Sequence, residues 1–150
     1  MSNHASTKPT PLVGTWKLES SEFTSSDGTV TQPFGATPIG VVHYDASGHM
    51  SVQLMRRNRT RFASDDLMTG SDEETRSALT GIITYFGPYF VEEESARVTH
   101  RLEGCSFPNW EGTELERNYV IEGDVLTLTT DPMHVGGSDL TGVLTWRRIA

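Results

Sequence analysis

Four side chains on three successive stretches are of the kinds that move protons or hold developing negative charge. They are Tyr89 in "FGPYFVEEE", His100 in "ARVTHRLEG", and Arg117 with Tyr119 in "TELERNYVI". Each stretch has the two-residue alternation of a half-buried strand. In the second stretch the apolar series is Val98, His100, Leu102; in the third it is Leu115, Arg117, Tyr119, Ile121. The alternation thus carries an imidazole and a guanidinium into a predicted interior. Burying a guanidinium without a partner costs several kcal/mol. Arg117 therefore requires a carboxylate, a ring of acceptors, or an anionic or enolic ligand. With Arg117 or a tyrosine as electrostatic clamp and His100 as general acid or base, the cluster is suited to stabilising an enolate or oxyanion. The alternative is that Arg117 pairs with an internal glutamate and His100 is a hydrogen-bonded core residue. Both remain open at this level.

A second candidate lies in the hairpin spanning residues 39–55. If its strands alternate about the turn Asp45-Ala46-Ser47-Gly48, one side carries Ile39, Val41, His43, Met50, Val52 and Leu54. The other carries Val42, Tyr44, His49, Ser51, Gln53 and Met55. Burial alone favours the first side as core. A ligand-bearing interior would use the mixed side, with Tyr44, Gln53 and Met55 contacting the ligand. The loop "SFPNWEG" concentrates aromatic residues that are costly to expose, so it should fold over the mouth of such an interior or onto a helix, with Trp110 as a lid or an apolar ligand contact. His43, Asp45 and His49 straddle a turn and lack a standard metal-ligand pattern, so no metal is expected. Neither a Gly-rich phosphate loop nor a nucleophile elbow is present, and no cofactor is implied. The single cysteine, Cys105, has no internal disulfide partner and reads as structural or incidental.

These side chains must be positioned by short strands. "TWKLESSEF", "PIGVVHYD" and "GHMSVQLM" precede a change of period at Ser71, where Ser71 and Glu74 have capping-box spacing and an acidic first turn follows. Thr75, Ala78, Leu79, Ile82, Ile83 and Phe86 then fall on one stripe, predicting an amphipathic helix of about three turns. Strands resume with "YFVEEE" and continue through "GVLTWRRI". About eight main strands with short turns and one helix imply an all-β antiparallel sandwich or closed up-and-down barrel. A barrel of that size has room for side chains and one small ligand.

Gly14-Thr15-Trp16 at the head of the first strand resembles the Gly-x-Trp signature of lipocalins. Together with "DGTVTQPFGATPIG", "SGHMSVQLMRRNRTRFAS", "SFPNWEGTELERNY" and "LTGVLTW", in this order, it resembles the compact bacterial and fungal lipocalin-like domain family over nearly all of residues 12–148. The resemblance implies that Trp16 closes one end of the barrel under a last-strand arginine, Arg147 or Arg148. A guanidinium over an indole contributes about 0.5–2 kcal/mol. Three departures separate the chain from secreted lipocalins: no export signal, no disulfide pair, and a helix in mid-chain.

Composition narrows the partners. Twelve Lys and Arg against twenty Asp and Glu give a formal charge of −8, which repels phosphate backbones and anionic lipid. "MRRNRTRF" runs against that balance, but an acidic stretch follows at once, so it reads as a solvated rim loop rather than a nucleic-acid site. With no signal peptide and no apolar run long enough for a span, the expectation is a cytoplasmic protein, monomer or homodimer. Residues 1–11 are expected to be a disordered tail, and 12–150 one domain. The expected function is binding of a small, largely hydrophobic organic molecule, with a cofactor-free acid/base step of the cyclase or isomerase type. The alternative is a non-catalytic carrier or sequestering protein for a small hydrophobic or carboxylate ligand.

Overall fold

The computed structural model describes residues 10–150, so most of the expected tail lies outside the described residues. Thr10 and Pro11 belong to the folded part. The Val13 N–H donates to the Thr10 carbonyl at 3.1 Å, and Leu12 is fully buried.

Eleven strands follow one another among the described residues: β1 (Gly14–Ser25), β2 (Val30–Thr31), β3 (Ile39–Tyr44), β4 (His49–Met55), β5 (Ile82–Glu92), β6 (Arg97–Arg101), β7 (Gly104–Cys105), β8 (Glu114–Glu122), β9 (Val125–Thr130), β10 (Met133–Val135) and β11 (Ser138–Arg148). Three are accessories: β2 pairs with the end of β1, β7 pairs with β5, and β10 folds onto β11. The other eight run β1, β3, β4, β5, β6, β8, β9, β11, each antiparallel to the next, and β11 returns to β1 to close an up-and-down barrel. Closure removes the main sheet edges. Inward residues form the core, including Trp16, Val42, Val52, Val98, Leu126 and Trp146, while Lys17, Glu19 and Arg147 alternate outward. No helix among the described residues is long and apolar enough to cross a membrane.

The expected plug at one end is present, and Arg148 rather than Arg147 provides it. The Arg148 guanidinium lies 4.1 Å from the Trp16 ring centroid and donates to the carbonyls of Val13 and Pro11, both at 2.8 Å. The Trp16 indole N–H donates to Leu12 O at 2.9 Å. Arg147 points outward to Glu19 at 2.9 Å. Gly14 makes the plug possible: at φ +142° it sits where a Cβ would stand 2.5 Å from an Arg148 nitrogen and 2.7 Å from the Ala150 carbonyl oxygen.

Two local expectations are corrected. The helix α1 (Asp72–Thr80) starts with the capping box, Glu74 N–H to Ser71 Oγ at 3.1 Å and Ser71 N–H to Glu74 Oε1 at 2.9 Å, but it ends at Gly81. Ile82, Ile83 and Phe86 belong to β5, not to the helix. Gly81 terminates the turn, and the β-branched pair after it prefers the pleated ladder to β4, where Leu54 faces Ile83. The helix itself buries no residue.

The 39–55 hairpin turns through one more residue than the sequence suggested. Asp45 Oδ1 accepts hydrogen bonds from the Ser47 N–H, the Ser47 hydroxyl and the His49 N–H at 2.7–2.9 Å, so the pairing of β3 with β4 starts only at Met50, although His49 already pairs with β5. Tyr44 therefore faces Met50, and Val42 faces Val52. A one-residue change of register exchanges faces in one strand relative to the other. The core side is Val42 and Tyr44 with Met50, Val52 and Leu54. Gln53 and Met55, expected beside Tyr44, lie on the opposite, outer face with Val41 and Ile39.

Candidate functional site

Inside the barrel is a cavity of about 540 Å³. Its walls are largely apolar, with Val52, Leu54, Leu128, Leu144 and Trp146 prominent, and its polar residues include Tyr85, His100, Arg117 and Thr130. The mouth is framed by Phe34, by Leu79 at the end of α1, by Phe107 and Trp110, and by Met133 and Val135 of β10. The short 3₁₀ turn Pro108–Trp110 folds the "SFPNWEG" loop over this opening, with the Phe107 and Trp110 rings edge to face at 5.6 Å. The arginine-rich segment braces nearby loops: Arg56 donates to Pro33 O, Arg57 to Thr37 O, and Arg59 to Ala78 O.

His100 lies at the centre of the polar group, fully enclosed by neighbouring strands. Tyr44 of β3 hydrogen-bonds its Nε2 at 2.7 Å and Tyr85 of β5 its Nδ1 at 2.8 Å. Burial, reinforced by the positive charge of Arg117, lowers the His100 pKa to about 3, so the ring is neutral. Burial raises Tyr85 to about 12 and Tyr44 well above the ordinary phenol value. The protons can then be assigned. Tyr44 is wholly buried, and among the described residues its hydroxyl has His100 as its partner. Its O–H must donate to Nε2, because the opposite tautomer would leave a buried hydroxyl proton unsatisfied. Nδ1 then carries the imidazole proton and donates to Tyr85. The Tyr85 oxygen thus accepts from Nδ1, and its own proton is left for the cavity.

Arg117 enters from β8 and is 9% exposed. It donates to the Glu116 carbonyl at 3.0 Å, and among the described residues no carboxylate forms an ion pair with it. The neighbouring Glu116 side chain turns outward to Arg97, which also binds Asp131, each at 2.9 Å. The expected internal glutamate partner is thus not what compensates Arg117. On the same wall, Trp146 is 1% exposed and its buried indole N–H has no partner among the described residues.

The structure brings together some of the sequence-predicted residues and separates others. His100 and Arg117 share the cavity wall, with Trp110 at the mouth. Tyr44 stands behind His100 as its support. Tyr89 packs against Tyr44 at 4.9 Å and donates its hydroxyl to the Asp45 carbonyl at 2.6 Å, which ties it to the hairpin turn. Tyr119 points inward with Arg117 but lies outside the cavity lining. The residue that sequence reasoning missed is Tyr85, hidden in the segment assigned to the helix. Its signal was present: Gly81 stops the helix, and the inward face of Tyr89 continues back by twos to Tyr85.

The family model described as a lipocalin-like domain matches residues 13–149. The 4'-hydroxy-3'-methoxypropiophenone carrier protein ppsC of Aspergillus oryzae (strain ATCC 42149 / RIB 40) is 36% identical over 107 residues, covering 67% of this chain and 96% of the relative. A lipocalin-like protein from Bacteroides uniformis ATCC 8492, known from a crystal structure, superposes with a TM-score of 0.48 at 14% identity, over 92% of this chain and 98% of that one.

Proposed function

The chain belongs to the lipocalin-like domain family, and from that premise we propose that it is a carrier or sequestering protein for a small, mostly apolar aromatic molecule bearing an oxygen acceptor. The observation that carries this is the cavity: about 540 Å³ of largely apolar space, of a size for one small ligand, with Arg117 on its wall. The carrier name of the Aspergillus oryzae relative, whose ligand is a hydroxylated aryl ketone, supports the same chemistry.

The electrostatics favour holding over turnover. A general acid or base works best with a pKa near the operating pH. His100 is far below that range with both nitrogens engaged, and Tyr85 is far above it. A proton passed from Tyr85 and replaced through His100 would leave a charge on Tyr44, the most deeply buried phenol of the group. One observation favours the second reading, an acid/base step of the cyclase or isomerase type: the hydrogen-bonded file Tyr85, His100, Tyr44 ends at the cavity beside Arg117.

Titration of the protein with hydroxyaryl ketones tests both. Trp110 and Trp146 line the cavity, so binding should change intrinsic fluorescence. The expected result is saturable binding with the ligand recovered chemically unchanged. Conversion of the ligand by wild-type protein, lost in His100→Gln, would replace the carrier reading with the catalytic one.

A further inference from the structure

Two polar groups on the cavity wall are set as donors. Arg117 has only N–H groups to offer, and the proton assignment above leaves the Tyr85 O–H directed to the ligand side. The remaining titratable groups around this pole are Tyr44 on β3, Tyr89 on β5, His100 on β6 and Cys105 on β7. All are neutral at neutral pH, because burial raises the phenols and the thiol and lowers the imidazole. His134 at the mouth is engaged by Asp139 at 3.2 Å. Arg117 therefore contributes one net positive charge facing apolar space.

We propose that the cavity binds its ligand as a conjugated oxyanion, the phenolate or enolate form of an acidic phenol or enolisable ketone, with the charged oxygen held between the Arg117 guanidinium and the Tyr85 hydroxyl. This rests on the carrier reading and specifies the state of the cargo. On binding, the O–H bond of a phenol, or the α C–H bond of an enolisable ketone, breaks heterolytically; the electron pair stays on the phenol oxygen or, for the ketone, is delocalised through the new C=C onto the carbonyl oxygen, and the proton passes to the buffer. Neither His100 nitrogen is free to accept it. An anion between two fixed donors in apolar surroundings offsets the desolvation of Arg117, which a neutral ligand cannot do. A cationic or amine-bearing analogue would meet donors with donors.

The test uses the full chain with 4-hydroxyacetophenone, 4-methoxyacetophenone and 4-aminoacetophenone. Tryptophan fluorescence reads binding, and ultraviolet absorbance reads whether the bound phenol is ionised. An opposite charge within about 4–6 Å lowers an acid's pKa by roughly one to three pH units. Bound 4-hydroxyacetophenone should therefore show the phenolate band at a pH where the free compound is still a phenol. The methyl ether and the amine should bind about tenfold or more weakly. Arg117→Met should abolish the band while leaving methyl ether binding intact; Tyr85→Phe should diminish it. The wild-type pH titration stands by itself if a variant fails to fold. Binding of 4-hydroxyacetophenone with the spectrum of the neutral phenol, or equal affinity for phenol and ether, would overturn the oxyanion proposal and leave the carrier reading standing. Failure of all three compounds to bind would overturn both.

Discussion

Replacing Arg117 by methionine separates a residue kept for the ligand from one kept for the fold. In the ligand-free protein Arg117 is 9% exposed, with the Glu116 carbonyl at 3.0 Å as compensation. Exchanging buried ionic groups for apolar ones of similar volume is often neutral or stabilising by about 1–4 kcal/mol. The cavity is open at its mouth, so water relieves part of the burial, and the lower end, about 1 kcal/mol, is the appropriate figure. For a domain of this length 1 kcal/mol corresponds to about 2–4 °C in Tm. Ligand-free Arg117→Met should therefore melt about 2–4 °C above wild type by circular dichroism and show a higher urea midpoint at unchanged slope. With saturating 4-hydroxyacetophenone the order should reverse, because the wild type alone gains strongly from ligand linkage. A ligand-free variant less stable than wild type by more than about 1 kcal/mol would refute the reasoning and make Arg117 a structural anchor.

His100 makes a pH prediction of definite sign. Its folded pKa of about 3 lies below the unfolded 6.5, so between those values the unfolded chain binds one more proton and stability falls as pH is lowered. The slope from this group approaches about 1.4 kcal/mol per pH unit in the middle of that window. Urea unfolding at pH 7, 6 and 5 should show His100→Gln losing less stability with acid than wild type; parallel losses would remove the buried histidine as the cause. At the closed end, Arg148→Ala should cost about 2–3 kcal/mol, combining the lost cation–π contact with two uncapped carbonyls. Arg147→Ala, which removes an exposed pair with Glu19, should cost less than about 1 kcal/mol by the same denaturation assay. Equal effects at the two positions would contradict the assignment of the plug to Arg148.

Much of the container is legible in the chain itself. Alternation in β6 and β8 marks inward faces because a half-buried strand must segregate its residues by twos, and it places His100 and Arg117 in the interior. The resemblance carried by Gly14 and Trp16 implied the plugged end, and the structure adds its reason: close packing of Arg148 onto the chain admits no Cβ at that glycine. The capping box at Ser71 placed the start of the helix within a residue.

Tertiary structure decided the rest. Gly81 marks a stop for the helix, but that Ile82 and Ile83 continue as strand depended on a ladder partner, which β4 supplies across a gap in sequence. Which hairpin residues face inward depended on a single added residue in the Asp45 turn, a difference of side-chain hydrogen bonding that exchanges faces and sends Gln53 and Met55 outside. Which of two adjacent arginines covers Trp16 followed from the register of β11 on β1. The polar centre is the clearest case: Tyr44, Tyr85, His100 and Arg117 lie on four different strands, and barrel closure sets their spacing. Local sequence specifies that an arginine and a histidine turn inward; the pairing of distant strands specifies that tyrosines hold the histidine neutral and that the arginine faces the cavity.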